Sequence, residues 1–229
     1  MNETINQSIL QQLSASLEGE LFYDEMMRKL YATDASVYKE YPFAVCYPKN
    51  KKDIQTIIQF ANNNKIAIIP RAAGTSLGGQ VVGNGIVVDI SKYFTEIIEI
   101  NKEEKYCIVQ PGVVRDELNR QLKSVDLFFA PETSTANRAM IGGMVGNNSC
   151  GTNSIVYGTT RHHVLELTGF LSDGSEVIFK DLTAAEAATI AAVLPNPRKW
   201  NAGKPSSYIT KRKNSILRQM SHLRGTVEL

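Results

Sequence analysis

Apolar residues recur at helical spacing after Lys52 and then give way to short apolar runs. Four of them stand at positions i, i+3, i+4 and i+7 of one face: Ile54, Ile57, Ile58 and Ala61. This pattern predicts an amphipathic helix, which the asparagines at 62–64 end. Residues 66–69 predict a strand, and residues 86–90, with the sequence IVVDI, predict another. A helix followed by strands in this order is typical of a small parallel sheet covered by helices.

Two hairpins are predicted farther along the chain. Residues 96–100 and 105–110 alternate as half-buried strands do, and a short polar connection joins them. Residues 164–171 and 176–179 flank Ser172–Ser175, whose Asp-Gly pair favours a tight turn. The sequence therefore predicts antiparallel strands in its second half.

Further helices are predicted between and outside these strands. Residues 113–123 carry apolar residues at helical spacing: Val114, Leu118 and Leu122. The first 40 residues are predicted to be helical, with apolar residues among polar ones: Leu17, Leu21, Met27 and Leu30. Thr183 and Glu186 form a capping box that opens an Ala-rich helix over 184–194. The elements together predict an α+β chain in two lobes with a cleft between them.

The segment PRAAGTSLGGQ, residues 70–80, follows the first predicted strand directly. Its glycines allow positive φ, and its alanines have small side chains that leave the backbone accessible. Thr75 and Ser76 add hydroxyls. Such a loop lets backbone N–H groups converge on an anion. No lysine follows Gly79, and no G-x-G-x-x-G precedes an acidic residue, so neither common nucleotide motif is present. The loop predicts a phosphate-bearing cofactor, and the alternative is a tight turn without a ligand.

A second small-residue block lies about 60 residues farther on. It comprises PETST at 131–135 and IGGMVGNNSCGTNSIVYGTTR at 141–161, and it carries little charge. Gly142 and Gly143 are predicted to open a short helix, whose first N–H groups offer another polar contact. The two blocks are predicted to form two walls of one cofactor cleft.

Composition and charge add limits to this prediction. Apolar residues make up 43% of the 229, enough for a two-lobed core, and no run reaches the roughly 18 residues of a membrane span. The start of the chain lacks the pattern of a secretory signal. Three widely spaced cysteines argue against a disulfide framework and, without a C-x-x-C pair, against an iron–sulphur cluster. No set of metal ligands is predicted.

The charge is distributed unevenly along the chain. Residues 195–229 carry eight Lys or Arg and one acid, although the formal net charge of the whole chain is only +2. A basic tail can bind nucleic acid or an anionic membrane surface. We expect no nucleic-acid partner, because a solvated end explains the same composition and the tail lacks regular aromatic interleaving.

The motifs, taken in order, resemble a known family. They are loop 70–80, QPG at 110–112, PETST, IGGMVGNNSCG and YGTTR, with LYATDASVYKEYPFAV at 30–45 before them. They closely resemble the flavin domain of FAD-linked oxidases of the vanillyl-alcohol oxidase and para-cresol methylhydroxylase type. The D-lactate, glycolate and D-2-hydroxyglutarate dehydrogenase branch is nearest, particularly its large members fused to an iron–sulphur module.

The resemblance implies a two-lobed FAD-binding domain of the para-cresol methylhydroxylase type. One lobe would hold a small parallel sheet with helices, and the other a mixed or antiparallel sheet with helices. The expected domains are an N-terminal helical segment, residues 1–40, the FAD-binding domain, residues 41–182, and the Ala-rich helix with the basic tail, residues 183–229. The chain is expected to be only the N-terminal flavin domain, as a fragment or with a reading frame altered after about residue 190.

The resemblance also implies which residues bind FAD. In the first block these are Pro70, Arg71, Ala72, Ala73, Gly74, Thr75, Ser76 and Gln80. In the second block they are Pro131, Glu132, Thr133, Ser134, Gly142, Gly143, Asn147, Ser149, Gly151, Tyr157 and Gly158. The N–H groups of residues 72–76 are assigned to the pyrophosphate, and residues 131–134 to the edge of the flavin ring.

Several of these side chains have a second interpretation. Arg71 either neutralises phosphate or holds the loop by pairing with a carboxylate. Gln80 either caps a carbonyl, which is favoured, or reaches the flavin ring. Asn147 and the asparagine after it also suit a turn, and Tyr157 also suits a core position with a tethered hydroxyl.

Cysteine and histidine chemistry is predicted to play little part. Cys150 is expected to be a buried, inert thiol rather than a flavin-linking one. His162 and His163 would lie on a strand and point to opposite faces, so that at most one faces the cleft. The favoured interpretation is that both are surface or core histidines whose hydrogen bonds are satisfied within the protein. Relatives with covalent flavin carry a histidine near the first loop, whereas residues 70–80 contain none. FAD is therefore expected to bind non-covalently.

The expected function is oxidation of a D-2-hydroxy acid by hydride transfer to FAD. Electrons would pass to an iron–sulphur module, a quinone or an electron-transfer protein. No catalytic residue is assigned, because in the family these lie in a C-terminal substrate domain that we expect this chain to lack. The alternative is a flavin-binding fragment without turnover. The expected location is cytoplasmic, either free or peripheral at a membrane.

Overall fold

A computed structural model of the chain describes residues 7–180. Residues 7–164 and 169–177 belong to one compact unit, and residues 165–168 and 178–180 belong to a second. The Ala-rich helix predicted over 184–194 and the basic tail lie outside the described residues. The longest described helix has 14 residues, and none between residues 7 and 180 has the length and apolar character needed to cross a bilayer.

The first half of the chain builds a four-stranded sheet. Its elements are α1 (Gln7–Ser16), β1 (Glu20–Phe22), α2 (Glu25–Leu30), β2 (Ala44–Tyr47), α3 (Lys51–Asn64), β3 (Ile68–Arg71) and β4 (Ile86–Asp89). The strand order is β1-β2-β4-β3. Strands β2, β4 and β3 are parallel, and β1 joins β2 antiparallel. The parallel sheet that the sequence predicted is confirmed, with one antiparallel strand added at its edge.

The second half builds smaller antiparallel pairs and short helices. Its elements are β5 (Ile97–Asn101), β6 (Tyr106–Val109), α4 (Arg115–Leu122), α5 (Ile141–Gly146), α6 (Ser154–Tyr157), β7 (Glu166–Phe170) and β8 (Glu176–Lys180). Two 3₁₀ turns, Lys123–Val125 and Thr160–His163, lie between them. Strands β5 and β6 pair antiparallel, and β7 and β8 form another two-stranded sheet. Both hairpins were predicted.

Each half has its own apolar core. In the first, buried residues of α1, α3 and the sheet form one cluster, which includes Leu10, Ile57 and Ile86. In the second, α4 and α5 bury Leu118 and Met144 against the β5–β6 pair. A third, smaller cluster, formed by Val45, Ile69 and Val87, lies in the first-half sheet. A separate core in each half fits a two-lobed α+β domain.

The predicted helix after Lys52 is confirmed as α3. Asn50 caps its start by accepting the N–H of Asp53 at 2.9 Å, and Lys65 ends it in the left-handed conformation at φ 57°. The following strand lies two residues later than the sequence predicted and runs through Pro70. A proline is tolerated there because β3 is an edge strand of the sheet.

Two strands were not predicted. The sequence of β2, AVCY, is a short continuous apolar run without alternation, which gives no periodic signal. The prediction that the first 40 residues are helical misses β1, where Leu21 pairs with Cys46 of β2. Pairing with a strand some 25 residues away overrides the weak local helical pattern there.

Candidate functional site

Loop 70–80 begins at the carboxyl end of β3 and turns sharply twice. Gly74 has φ +65° and Gly79 has φ +71°, so both lie in the left-handed region that favours glycine. The carbonyl of Gly74 accepts the N–H of Ala35 at 3.1 Å, which fixes the loop against the segment after α2. The loop is therefore held in a defined shape by backbone contacts.

The backbone N–H groups of Ala72, Ala73, Gly74, Thr75 and Ser76 donate no hydrogen bond to any group of residues 7–180. The Oγ of Ser76 is also buried without a partner. Unpaired donors on a half-buried loop cost free energy unless a ligand or water satisfies them. Five such N–H groups in succession suit a phosphate-bearing ligand.

Arg71 holds the loop in place. Its Nη1 donates to the carbonyl of Thr33 at 2.9 Å, and its guanidinium lies 4.9 Å from the centre of the Tyr31 ring. Of the two roles left open for Arg71, the structure thus shows a holding role, made through a carbonyl and an aromatic ring rather than a carboxylate. Gln80 also acts within the loop. Its Oε1 accepts the N–H of Gly78 at 3.3 Å, so it caps an N–H group and not a carbonyl as predicted.

A cavity of about 460 Å³ opens beside this loop. Its walls come from the ends of β3 and β4, from α2 and from the residues before α5. Its lining residues are Leu30, Tyr31, Arg71, Ala72, Ala73, Asp89, Ser91, Val114, Asn137, Arg138 and Met140. Because Arg71 and Asp89 are the last residues of parallel strands, the cavity lies at the carboxyl edge of the sheet, where α/β proteins commonly bind ligands.

A partly buried hydrogen-bond network supports one wall of the cavity. Asp89 accepts the Tyr31 hydroxyl at 2.7 Å and the N–H of Ser91 at 2.8 Å. The hydroxyls of Tyr31 and Tyr47 are 2.5 Å apart, and because Tyr31 donates to Asp89, Tyr47 is the donor between them. Burial raises the pKa of Tyr31, and its bonds to Tyr47 and Asp89 raise it further, so this phenol remains a hydrogen-bond donor.

The second block lies against the first. A Cβ built on Gly143 would lie 3.2 Å from the Cβ of Ala72, so the first turn of α5 packs on loop 70–80. A Cβ on Gly142 would lie 2.5 Å from the Cβ of Pro111, and the Gly142 N–H donates to the Pro111 carbonyl at 2.8 Å. The structure thus brings the two predicted walls together, although the Gly142 N–H is already used within the protein.

PETST packs against the end of the second block. A Cβ on Gly151 would lie 2.7 Å from the carbonyl of Glu132, and the Thr152 hydroxyl is 3.3 Å from Oε2 of Glu132. The carbonyl of Ser149 accepts the hydroxyl of buried Thr160 at 2.7 Å. These contacts order the segment without lining the cavity. The remaining residues predicted here also lie outside the lining: Pro131, Thr133, Ser134 and Asn147.

Tyr157 and Gly158 end α6 and also lie outside the cavity lining. The ring of Tyr157 is 46% exposed and contacts Phe128 edge to face, with centroids 5.6 Å apart, so the alternative of a core position is wrong. Gly158 has φ +79°, and Nδ1 of His162 accepts the N–H of Thr159 at 2.9 Å.

The expectations for Cys150 and for the two histidines need correction. Cys150 is exposed rather than buried. His162 and His163 lie in a 3₁₀ turn, not on a strand, because residues 160–163 form the turn that precedes β7. Nε2 of His163 lies 2.8 Å from the carbonyl of Tyr157 and therefore donates to it, so this histidine is a satisfied one.

We expect the exposed Cys150 to be the fast-reacting thiol of the folded chain. Burial raises the pKa of Cys46 to about 12, so at neutral pH this cysteine is a shielded, protonated thiol. Burial also raises the pKa of half-buried Cys107. Titration with an aromatic disulfide reagent should show one rapid thiol in the native protein and three after unfolding. Cys150→Ser should remove the rapid phase and Cys107→Ser should not; the reverse result would contradict the assignment.

Five polar cavity residues escaped the sequence prediction: Tyr31, Asp89, Ser91, Asn137 and Arg138. Tyr31 and Asp89 are 58 positions apart and meet only through the fold. Asn137 and Arg138 directly follow PETSTA, and their proximity to that predicted block could have identified them as site residues. No group of three or more His, Cys, Asp or Glu within residues 7–180 is arranged to hold a metal ion.

Comparisons with known proteins show the family and the fold of the chain. A family model described as an FAD binding domain matches residues 42–180. A D-2-hydroxyglutarate dehydrogenase of Haemophilus influenzae is 44% identical over 160 residues, which cover 69% of this chain and 16% of that protein. A mitochondrial D-lactate dehydrogenase (cytochrome) of Kluyveromyces lactis is 34% identical over 166 residues, 71% of this chain and 26% of that one. This chain thus spans only a small part of these relatives.

A solved structure gives the same fold. The structure of p-cresol methylhydroxylase with substrate bound superposes with a TM-score of 0.67 at 18% identity, covering 78% of this chain and 36% of that one. The predicted α+β fold of the para-cresol methylhydroxylase type is confirmed.

Proposed function

We propose that this chain, which belongs to the FAD binding domain family over residues 42–180, provides the flavin site of a dehydrogenase for a D-2-hydroxy acid. The observation that carries the proposal is loop 70–76. Its five unpaired N–H groups follow the carboxyl end of β3, and the first two of these residues, Ala72 and Ala73, line a cavity of about 460 Å³, whereas residues 74–76 lie outside the lining. Substrates of the D-lactate, glycolate or D-2-hydroxyglutarate type are proposed from the names of the relatives and from the family resemblance.

The chain's own residues fit the cofactor. Ala72 to Ser76 supply amide donors for the pyrophosphate. Gly74 supplies the left-handed backbone of the loop, where a side chain would be strained and would meet Arg71. The α5 turn closes against the loop at Gly143 and Ala72. Bound FAD supplies the electron acceptor for a hydride. We also propose residues 131–134 for the edge of the flavin ring, residues 147, 149 and 151 for the ribityl chain and pyrophosphate, and residues 157 and 158 for the turn beneath the flavin.

We expect FAD to bind without a covalent bond. None of the side chains lining the cavity is a histidine or a cysteine. The purified chain should be yellow, and acid precipitation should release FAD into the supernatant, where chromatography identifies it. Colour that stays with the pellet, or a released flavin other than FAD, contradicts this prediction.

Turnover is tested separately from flavin binding. The chain spans 16% of its Haemophilus relative, so the alternative is a flavin-binding unit that does not oxidise a hydroxy acid alone. Reduction of a dye by D-lactate, glycolate or D-2-hydroxyglutarate, but not by the L-enantiomers of the two chiral acids, supports the dehydrogenase. A flavin-loaded chain that stays oxidised with all three supports the alternative.

The proposal also covers the electron acceptor and the location. We propose that the reduced flavin passes its electrons to an iron–sulphur module, a quinone or an electron-transfer protein, as the family resemblance implies. Cys46, Cys107 and Cys150 are all free, which suits a cytoplasmic protein, free or peripheral at a membrane.

A further inference from the structure

Two arginines line the cavity, and they differ in what their guanidinium groups already bind. Arg71 donates to the carbonyl of Thr33 and lies over the ring of Tyr31. Arg138 takes part in none of the ion pairs formed among residues 7–180, and its Nη1 donates only to the neighbouring Asn137 at 3.0 Å. The remaining donors of the Arg138 guanidinium are therefore available to a ligand.

The backbone of Arg138 is fixed although its side chain is exposed. Its N–H donates to the carbonyl of Thr135 at 2.9 Å, and the carbonyl of the next residue, Ala139, accepts the N–H of Arg115 at 2.9 Å. Val114 and Met140, which flank this turn, form a bridge and line the same cavity. Arg138 is thus presented to the cavity from a turn tied to the start of α4.

The cavity has one carboxylate, and that group is already satisfied. Oδ1 of Asp89 accepts the N–H of Ser91, and Oδ2 accepts the hydroxyl of Tyr31. Asp89 is 4% exposed, so it is held in the wall rather than free to pair with Arg138. The charged groups of the lining are therefore two arginines and one engaged carboxylate, an excess of positive charge that favours an anion.

We infer that Arg138 is the cation that pairs with the pyrophosphate of the cofactor, while Arg71 keeps the loop in shape; the inference rests on the proposed function. A guanidinium binds phosphate oxygens through two parallel N–H···O bonds, which a neutral amide cannot reproduce. The loop amides of residues 72–76 would then bind one side of the pyrophosphate and Arg138 the other. Arg138 serves binding and takes no part in the redox chemistry.

The test compares Arg138→Gln with Arg138→Lys and with Arg120→Gln in the full 229-residue chain. Arg120 is a matched control because its side chain is 75% exposed, pairs with Glu117 and lies outside the cavity. FAD affinity is measured by quenching of flavin fluorescence at low and high NaCl concentration. Arg138→Gln should weaken FAD binding about 10- to 100-fold and make it less sensitive to salt. Arg138→Lys keeps the charge but loses the paired N–H···O geometry, so it should keep the salt sensitivity and lose part of the affinity, whereas Arg120→Gln should keep all of it.

The outcomes separate this inference from the proposed function. A parent chain that binds no FAD overturns the proposed function and the inference with it. A parent that binds FAD, with an Arg138→Gln variant of equal affinity or unchanged salt dependence, overturns the inference alone. An equal loss in Arg120→Gln also overturns it, because the effect would then come from overall charge.

Discussion

Replacing Gly74 with valine should abolish tight FAD binding and leave the chain folded. Gly74 has φ +65°, and a Cβ there would lie 2.6 Å from Nη2 of Arg71. A β-branched residue in this region carries strain of roughly 1–3 kcal/mol, before the contact with Arg71 is counted. The free variant relieves that strain by changing the loop, which moves the amides that we propose to bind the pyrophosphate. We expect FAD affinity to fall at least about 100-fold, measured by fluorescence quenching.

Gly169→Val is the matched control for this variant. A Cβ on Gly169 would meet nothing within 4 Å, and the residue lies in β7, where valine is favoured. The control should bind FAD as the parent does, and both variants should give the parent's far-UV circular dichroism. If Gly74→Val retains FAD as well as Gly169→Val does, loop 70–80 is a turn without a ligand, and the proposed site is wrong.

The sequence predicted those parts of the fold whose signals are local. Helix α3 has its apolar face, its Asn50 cap and its terminal asparagines within one segment. The β7–β8 hairpin has an Asp-Gly pair at its turn, where Gly174 takes φ +86°. Strand β1 lacks such a signal, because three residues become a strand only through pairing with β2.

The site was predictable to the extent that it is made of backbone. Glycines and alanines in succession predict a turn with positive φ and little side-chain bulk, so the sequence located the loop. The side chains around it depend on distant contacts. The role of Arg71 is set by Thr33 and Tyr31, about 40 positions earlier, and a sequence pattern cannot choose between holding the loop and binding phosphate.

Asp53 shows how such distant contacts tie the N-terminal segment to the sheet. It lies in the first turn of α3 and is only 2% exposed. Its Oδ1 accepts the N–H of Glu18 at 3.0 Å, and its Oδ2 accepts the N–H groups of Gly19 at 2.9 Å and Lys49 at 2.8 Å. One carboxylate thus joins the residues before β1 to the residues after β2. Residues 7–41, which precede the start of the family match at residue 42, are therefore part of the folded unit.

Asp53→Asn should destabilise the chain without changing its affinity for FAD. An amide has one acceptor oxygen, so at least one of the three N–H groups then faces an NH₂ group, and the charge that strengthened all three bonds is lost. We expect the free energy of unfolding in urea to fall by about 3 kcal/mol or more.

Asp126→Asn makes the same chemical change where the side chain is 91% exposed and φ is 60°, a conformation that asparagine tolerates. That control should stay within about 0.5 kcal/mol of the parent. Equal stability of the two variants would show that Asp53 does not join the segments, whereas lost FAD affinity in the folded Asp53 variant would place it in the binding site.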